Sequence, residues 1–431
     1  MRRMFLSIGL AAAFAAPAHA DGGERISELL RPVEKIEAVR VRPHIWRASG
    51  NSNAYLVTTG DGVVVIDTGL GPQAEATHAA LRSVSDAPVR KLLLTHAHAD
   101  HIGGVGLWQG EGVETIAARA FALRNRYYAD LRPFQARRSR VLWADVMPEG
   151  AEERFPYPRV AVDHYIDRDE TIVVGGVTFR LLLTPGGEGP DAMSVWIPEW
   201  KVLFSGDTLG PAVASFPNLF TLRGENPREA VPMIQTLERM ADLEPELLLP
   251  GHFGALAGRA EITSMLRKTA DAVRYVYDAT IEGMNQGRSL WDLMREIELP
   301  PDLALSEQYG RVPWGVRAIY ENHVGWFRYE STTELYDVPH YEVYPELVAL
   351  AGGPDAVGQA AMTRVLAGEP LEALHLAEAA LTVDPKHRGG LTAALLALRA
   401  LAQQDGGTNF QIAGWLRARI RAAEAALAEL D

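Results

Sequence analysis

The chain has 431 residues, of which 47% are hydrophobic and 23% charged, an ordinary globular composition with room for two domains. Its formal net charge of -13 argues against a nucleic acid partner, since a phosphate polymer requires a basic face. It has no cysteine, which excludes disulfide staples and thiolate ligands, so any metal must sit on nitrogen and oxygen donors.

Taken in chain order, residues 1–20 carry Arg2 and Arg3, an apolar run and a closing Ala18-His19-Ala20. That layout predicts a signal peptide cleaved after Ala20, and hence a periplasmic or secreted protein. The run is too short to serve as a stable membrane anchor. Arg2-Arg3 followed by Phe5-Leu6 also fits twin-arginine export. Val63 to Ile66 read as a buried strand ending at Asp67-Thr68-Gly69, residues 72–84 as a helix, and Lys91 to Leu94 as a second strand. Strand, helix and strand at this spacing indicate α/β architecture. Further strands are predicted at 171–174, 179–183, 194–197, 202–205 and 247–249. From about residue 262 the pattern turns helical, with segments at 262–285, 288–297, 355–366, 371–383, 389–403 and 410–429. Residues 357–403 suggest paired antiparallel helices of tetratricopeptide type, turning at Pro385. The expected division is a leader at 1–20, a catalytic domain at 21–260 and a helical domain at 261–431.

Candidate ligands follow strand ends, where loops on a rigid scaffold carry chemistry. His96-Ala97-His98-Ala99-Asp100-His101 places three imidazoles and a carboxylate within six residues, enough for one tight loop to serve two metal sites. This segment resembles the His-x-His-x-Asp-His signature of the metallo-β-lactamase superfamily. The resemblance continues through Asp67-Thr68-Gly69, Thr184-Pro185-Gly186, Ser205-Gly206-Asp207-Thr208 and Pro250-Gly251-His252. It implies an αββα sandwich followed by an all-α helical domain. It also implies one metal on His96, His98 and a third ligand near residue 187, a second on Asp100, His101 and His252, and Asp207 between them. Two divalent ions, with zinc as the expected metal, would activate a shared water as the nucleophile. Asp100 and Asp207 would steer its proton, while Asp67 and Thr95 would orient the ligands.

The histidine usual after Thr-Pro-Gly is replaced here by Gly187, with Glu188 next, and a carboxylate can still ligate zinc. Thr184-Pro185-Gly186-x-Glu188-x-Pro190-x-x-Met193 resembles the alkylsulfatase branch of the superfamily. So do Arg137-Arg138 through Gly150, Asn218 to Gly224, and Val316 to Tyr320 with Gly325-Trp326-Phe327, the last resembling a dimerisation domain. The implied reaction is cleavage of alkyl sulfate esters to alcohol and sulfate, by a homodimer assembled through its C-terminal helices. Arg223 is the candidate for binding the sulfate, and Tyr320, with His323, either reaches the site from the second domain or packs on a helix face. Arginines at 119–140, interleaved with Tyr127, Tyr128 and Phe134, suggest either a basic, aromatic-lined entrance or a solvated helical face. Asp207 stands where the sulfatases usually carry glutamate, and the Asp-Gly-Asn-Pro that normally follows Gly-Trp-Phe is absent. A lactone or other carboxyl-ester hydrolase therefore remains the alternative, and a single-iron thiol oxidase a more distant one.

Overall fold

A computed structural model describes residues 35–143, 156–210, 213–405 and 407–431. The predicted leader, and the part of the 137–150 stretch beyond 143, lie outside the described residues.

Two sheets form the centre of the fold. The first has seven strands in sequence order: β1 (Ala38–Arg42), β2 (Ile45–Ser49), β3 (Asn53–Thr59), β4 (Gly62–Ile66), β5 (Val89–Leu93), β6 (Glu114–Ala118) and β7 (His164–Ile166). β1 to β4 pair antiparallel, and β4 to β7 pair parallel. The second has the order β13-β12-β11-β10-β9-β8, from β8 (Glu170–Val174), β9 (Val177–Leu183), β10 (Met193–Ile197), β11 (Val202–Gly206), β12 (Leu247–Pro250) and β13 (Leu256–Ala257). Its β11 and β12 are parallel and the remaining pairs antiparallel.

Residue alternation explains why the predicted strands read as continuous apolar runs. Side chains on a strand point to opposite faces in turn. In β4, Val64 and Ile66 enter the core between the sheets, where they meet Phe179, Leu181, Val195 and Phe204 of the second sheet. Val63 and Val65 pack outward with Leu92 against helices α1 (Ala74–Arg82), α2 (Ala99–Ile102), α3 (Val105–Trp108) and α4 (Phe121–Asp130). Helix α5 (Arg132–Leu142) follows α4. Both faces of the first sheet are thus covered, as parallel strands require.

The outer face of the second sheet carries Leu182, Trp196, Leu203 and Leu248. Against it lie α6 (Ala230–Asp242) and α7 (Arg259–Asn285). The same core takes in α8 (Leu290–Glu296) and α9 (Val312–Val324) through Leu290, Leu293, Val316 and Ile319. The apolar core therefore runs unbroken across residue 260, although the strands end at Ala257 and α7 begins two residues later. Beyond come α10 (Tyr344–Leu350), α11 (Pro354–Leu366), α12 (Pro370–Val383), α13 (Arg388–Asp405) and α14 (Phe410–Ala428). Each of α11 to α14 packs on the next, and small residues such as Ala361, Ala377 and Ala393 at their contacts let the backbones approach closely. Between α9 and α10 the chain exposes Trp326, Tyr329, Tyr336, Val338 and Tyr341, and α10 itself exposes Leu347 and Leu350. No helix among the described residues is long and apolar enough to cross a membrane.

Candidate metal centre

One edge of the sandwich gathers the ends of β4, β5, β9, β11 and β12. The edge is tied together by backbone hydrogen bonds that cross between the sheets. Asn53 N–H donates to Gly251 O at 2.7 Å, and Met193 N–H to Thr95 O at 2.8 Å. Asn53 Nδ2 and the Tyr55 hydroxyl both donate to Pro250 O, at 2.9 and 2.6 Å.

At this edge two groups of side chains could each hold a cation: His96, His98, Glu188 and Asp207 in one, Asp100, His101 and His252 in the other. Within each group the ligand atoms lie within 4.8 Å of one another. In the first group His96 Nε2 faces His98 Nδ1 at 2.9 Å, and His98 Nδ1 faces Glu188 Oε1 at 2.9 Å. In the second, His252 Nε2 and His101 Nε2 stand 3.4 and 3.6 Å from Asp100 Oδ2. Asp207 touches this group as well, with Oδ2 at 3.1 Å from His252 Nε2 and Oδ1 at 3.4 Å from His101 Nε2.

The backs of three imidazoles are held by the protein. His96 Nδ1 meets the Thr95 hydroxyl at 2.9 Å, His101 Nδ1 donates to Asp67 Oδ2 at 2.9 Å, and His252 Nδ1 donates to Asn51 O at 2.7 Å. Fixing one ring nitrogen in this way aims the other at a metal. Asp67 is thereby placed in the orienting role expected of it. It adopts a left-handed backbone (φ 55°) after β4, and its carboxylate also accepts from Thr95 N and Oγ1 at 2.8 and 2.7 Å. Aspartate tolerates that conformation better than most residues. Asp191 anchors the histidine loop from the other side, accepting from Ala97 N at 2.8 Å, and the Tyr157 hydroxyl donates to Ala97 O.

Two glycines decide which side chains can approach. A Cβ at Gly187 would lie 2.4 Å from Thr208 O, so the position that carries histidine in the common signature has no room for one here, and the donor comes from Glu188. A Cβ at Gly251 would lie 1.9 Å from Asp207 Oδ1 and 2.8 Å from His101 Cε1, so only glycine lets β12 deliver His252 to this spot.

The donor set fits a pair of divalent cations. His101 Nε2, Asp207 Oδ1 and Glu188 Oε2 are buried and accept or donate no hydrogen bond, which costs free energy unless something coordinates them. Electrostatics agree. Burial would push the His101 imidazole down, but Asp207 and Asp100 outweigh it and raise it well above its ordinary value. Burial and Arg223 push His98 down, and Glu188 with Glu225 lift it to about 9. Burial opposes ionisation of Asp207, yet His252 and His101 hold its carboxyl well below the usual range. Such an environment favours added positive charge. Of the four imidazoles in these groups, His96 alone is pushed well below its ordinary value, by burial and by the neighbouring His101 and His98.

Beside the first group lies a cluster of buried ions. Arg223 Nη2 donates to Glu188 Oε1 at 3.0 Å and stands 3.1 Å from His98 Nε2, so the structure brings this arginine to the centre. Arg228, with Nη2 at 2.9 Å from the same Glu188 oxygen and Nη1 donating to Gly187 O, lies beneath it. Glu225 accepts from Arg223 Nε at 2.7 Å. The Tyr128 hydroxyl meets His98 Nε2 at 2.8 Å, and Arg124 stacks over Tyr127 and Tyr128. Burial would raise the Glu225 carboxyl, but Arg223 and His98 hold it well below the usual range. Of the arginines expected to line an entrance, Arg124 joins this cluster, and Arg138 donates to Leu222 O and Arg223 O at 2.7 and 2.8 Å. Arg126 pairs with Asp130 at 3.1 Å, and Arg119 stacks on Tyr165.

Tyr320 departs from expectation. It is buried in the apolar core of the second sheet and α7, on the face of α9 that carries Val316 and Ile319, and not among the site residues. His323 instead lies edge-on to Tyr277. The helical region does reach the site loop, through other residues. Gln411 Oε1, at the start of α14, accepts from Leu222 N and the Thr221 hydroxyl at 3.2 and 3.3 Å. The ring of Tyr309 stacks on Phe410 and closes on Gly210. Glu225, Arg228, Asp191, Tyr309 and Gln411 carry no motif in the sequence, and only the fold brings them here, whereas Tyr128 belongs to the aromatic run already marked as a candidate entrance.

Residues 48–252 match the metallo-beta-lactamase superfamily, and residues 290–413 match the alkyl sulfatase dimerisation family. The first of these stretches is a metallo-β-lactamase superfamily domain. The chain's helical region is an alkyl sulfatase dimerisation domain, and its curated relatives include alkylsulfatases. A linear primary-alkylsulfatase of Pseudomonas sp. is 29% identical over 76% of this chain and 66% of its own length. An (R)-specific secondary-alkylsulfatase, also of Pseudomonas sp., is 24% identical over 87% of this chain and 60% of its own. The chain thus spans about two thirds or less of the length of these alkylsulfatases. Among solved structures, a stereoselective inverting sec-alkylsulfatase from Pseudomonas sp. shares the fold, with a TM-score of 0.78 and 22% identity over 91% of this chain and 65% of that one.

Proposed function

We propose that this protein is a dinuclear-metal hydrolase that cleaves alkyl sulfate esters to alcohol and sulfate. The observation that carries the reading is the pairing of the two ligand groups with Arg223, whose guanidinium faces His98 and Glu188. His96, His98 and Glu188 would hold one cation, Asp100, His101 and His252 the other, with Asp207 between them and zinc as the expected metal. Divalent cations in such a centre acidify water and polarise ester oxygens.

The remaining steps belong to the chain. Arg223 presents donors to the sulfate oxygens, since a planar guanidinium bonds two acceptors at once. Asp100 and Asp207, both beside His252 Nε2, steer the proton that water gives up while remaining ligands. Burial of His96, His101, Glu188 and Asp207 keeps bulk water from screening these charges.

Zinc-reconstituted protein assayed for sulfate release from short and long alkyl sulfates, beside ring opening of lactones, tests the reading. Sulfate release with little lactone turnover is expected; lactone turnover alone overturns it in favour of a carboxyl-ester hydrolase. We also infer a homodimer in which the exposed aromatic and aliphatic side chains of residues 326–350 meet a second copy of the chain. A purely monomeric mass by light scattering would oppose it. Export to the periplasm or medium completes the proposal, on the strength of the leader, and is tested by fractionating cells.

A further inference from the structure

Three guanidiniums, those of Arg124, Arg223 and Arg228, converge beside the first ligand group, and three carboxylates, Glu188, Glu225 and Asp191, face them. Glu225 is central. Its side chain is only 1% exposed, Oε1 lies 2.7 Å from Arg223 Nε and 3.4 Å from His98 Nε2, and Oε2 lies 3.7 Å from both Arg124 and Arg228. Oε2 accepts no hydrogen bond. A second acid in an anion-binding seat has no place in simple attraction, because it repels the ligand that the arginines draw in.

We propose that Glu225 is a specificity-determining residue that trims the charge of this seat to suit a head group bearing a single negative charge. The inference deepens the proposed function and rests on it. When Glu188 serves a cation, its charge is no longer available to the arginines. Two divalent cations less Glu188, Asp100, Asp207 and one hydroxide sum to zero, so the three guanidiniums, facing Glu225 and Asp191, leave one positive charge for the ligand. A sulfate monoester carries one negative charge and matches it. A phosphate monoester carries close to two above pH 6 and leaves one uncompensated in a buried place. Specificity of this kind comes from penalising the wrong ligand as much as from attracting the right one. If Glu225 were only a counter-ion that stabilises Arg223 and Arg228, its loss would weaken the fold or all ligands alike.

The test measures binding without turnover, on full-length protein of verified zinc content at pH 8.5, using hexanesulfonate and hexylphosphonate as monoanionic and dianionic probes. Glu225→Gln is expected to shift the ratio of the two dissociation constants toward the phosphonate by about tenfold, equivalent to 1.4 kcal/mol. Arg223→Gln should shift it the opposite way, and Glu225→Asp should leave it near the parent value. Should Glu225→Gln fail to fold, Glu225→Ser is read in its place, with the same shift expected. A ratio within twofold of the parent in either folded charge variant overturns the proposal. Because the ratio is read without hydrolysis, a parent that cleaves no sulfate ester but shows both shifts would sink the proposed function and leave the role of Glu225 standing.

Discussion

The two halves of the metal centre are built differently. The group of Asp100, His101 and His252 is braced by the protein's framework: Asp67 on a left-handed turn, the carbonyl of Asn51, and the cross-sheet bonds at Asn53 and Pro250. The group of His96, His98 and Glu188 instead borders a pool of guanidiniums and acids, where Arg223 and Tyr128 contact His98 directly. The difference teaches that one half is anchored to the scaffold and the other is wired to the arginine cluster that would take the ligand. Disturbing the first should change how well metal is held, and disturbing the second what is bound.

The sharpest way to break this comparison is to remove what the halves share. Asp207→Ala should abolish binding of both ions and lower kcat by about a thousandfold or more, checked by metal analysis and sulfate release. If one ion remained at full occupancy, Asp207 would not link the groups. Chelation of the parent should likewise abolish turnover and lower the thermal midpoint, because a ligand bound only to the folded state stabilises it. Arg223→Ala should reduce kcat/KM for sulfate esters by about 10- to 100-fold, the range expected for a charged hydrogen bond, while any lactone turnover and the metal content change little. Equal losses on both substrates would remove its anion-binding role.

A similar magnitude in a different quantity is expected on the anchored side. Asp67→Asn should weaken binding of the ion on Asp100, His101 and His252 by about 10- to 100-fold, read by competition with a chromophoric chelator, and the other ion less, through Thr95 and His96. The smallest effect belongs to Tyr128→Phe. It removes a neutral partner of His98 and should cost about 1 kcal/mol of metal or substrate affinity, visible as a several-fold change by titration.

How much of this was legible in the sequence follows from the same contrast. The anchored half is made of short motifs at strand ends, so Asp67, the 96–101 loop and His252 could be read from their neighbours. The strands were legible because Val63 to Ile66 and Leu247 to Leu249 are apolar on both faces. His98, Glu188 and Arg223 of the wired half also sit in readable motifs, but nothing in a linear sequence distinguishes the Glu225 and Arg228 around them from solvated charges. Arg124 and Arg126 illustrate this, for they lie two residues apart on α4 and one turns to the ion cluster while the other pairs with Asp130 at the surface. Tyr320 was misjudged for the opposite reason. The resemblance of residues 316–327 pointed it toward the site, whereas its place on the apolar face of α9 with Val316 and Ile319 puts it in the core, the packing alternative.

The amide of Gln411 gives this arrangement an architectural consequence. A strut from the start of α14 fastens the backbone at Leu222, next to the arginine that would grip the head group. The last helix in the described chain therefore braces that grip, and a mutation at the start of α14 is expected to retune selectivity without touching a ligand.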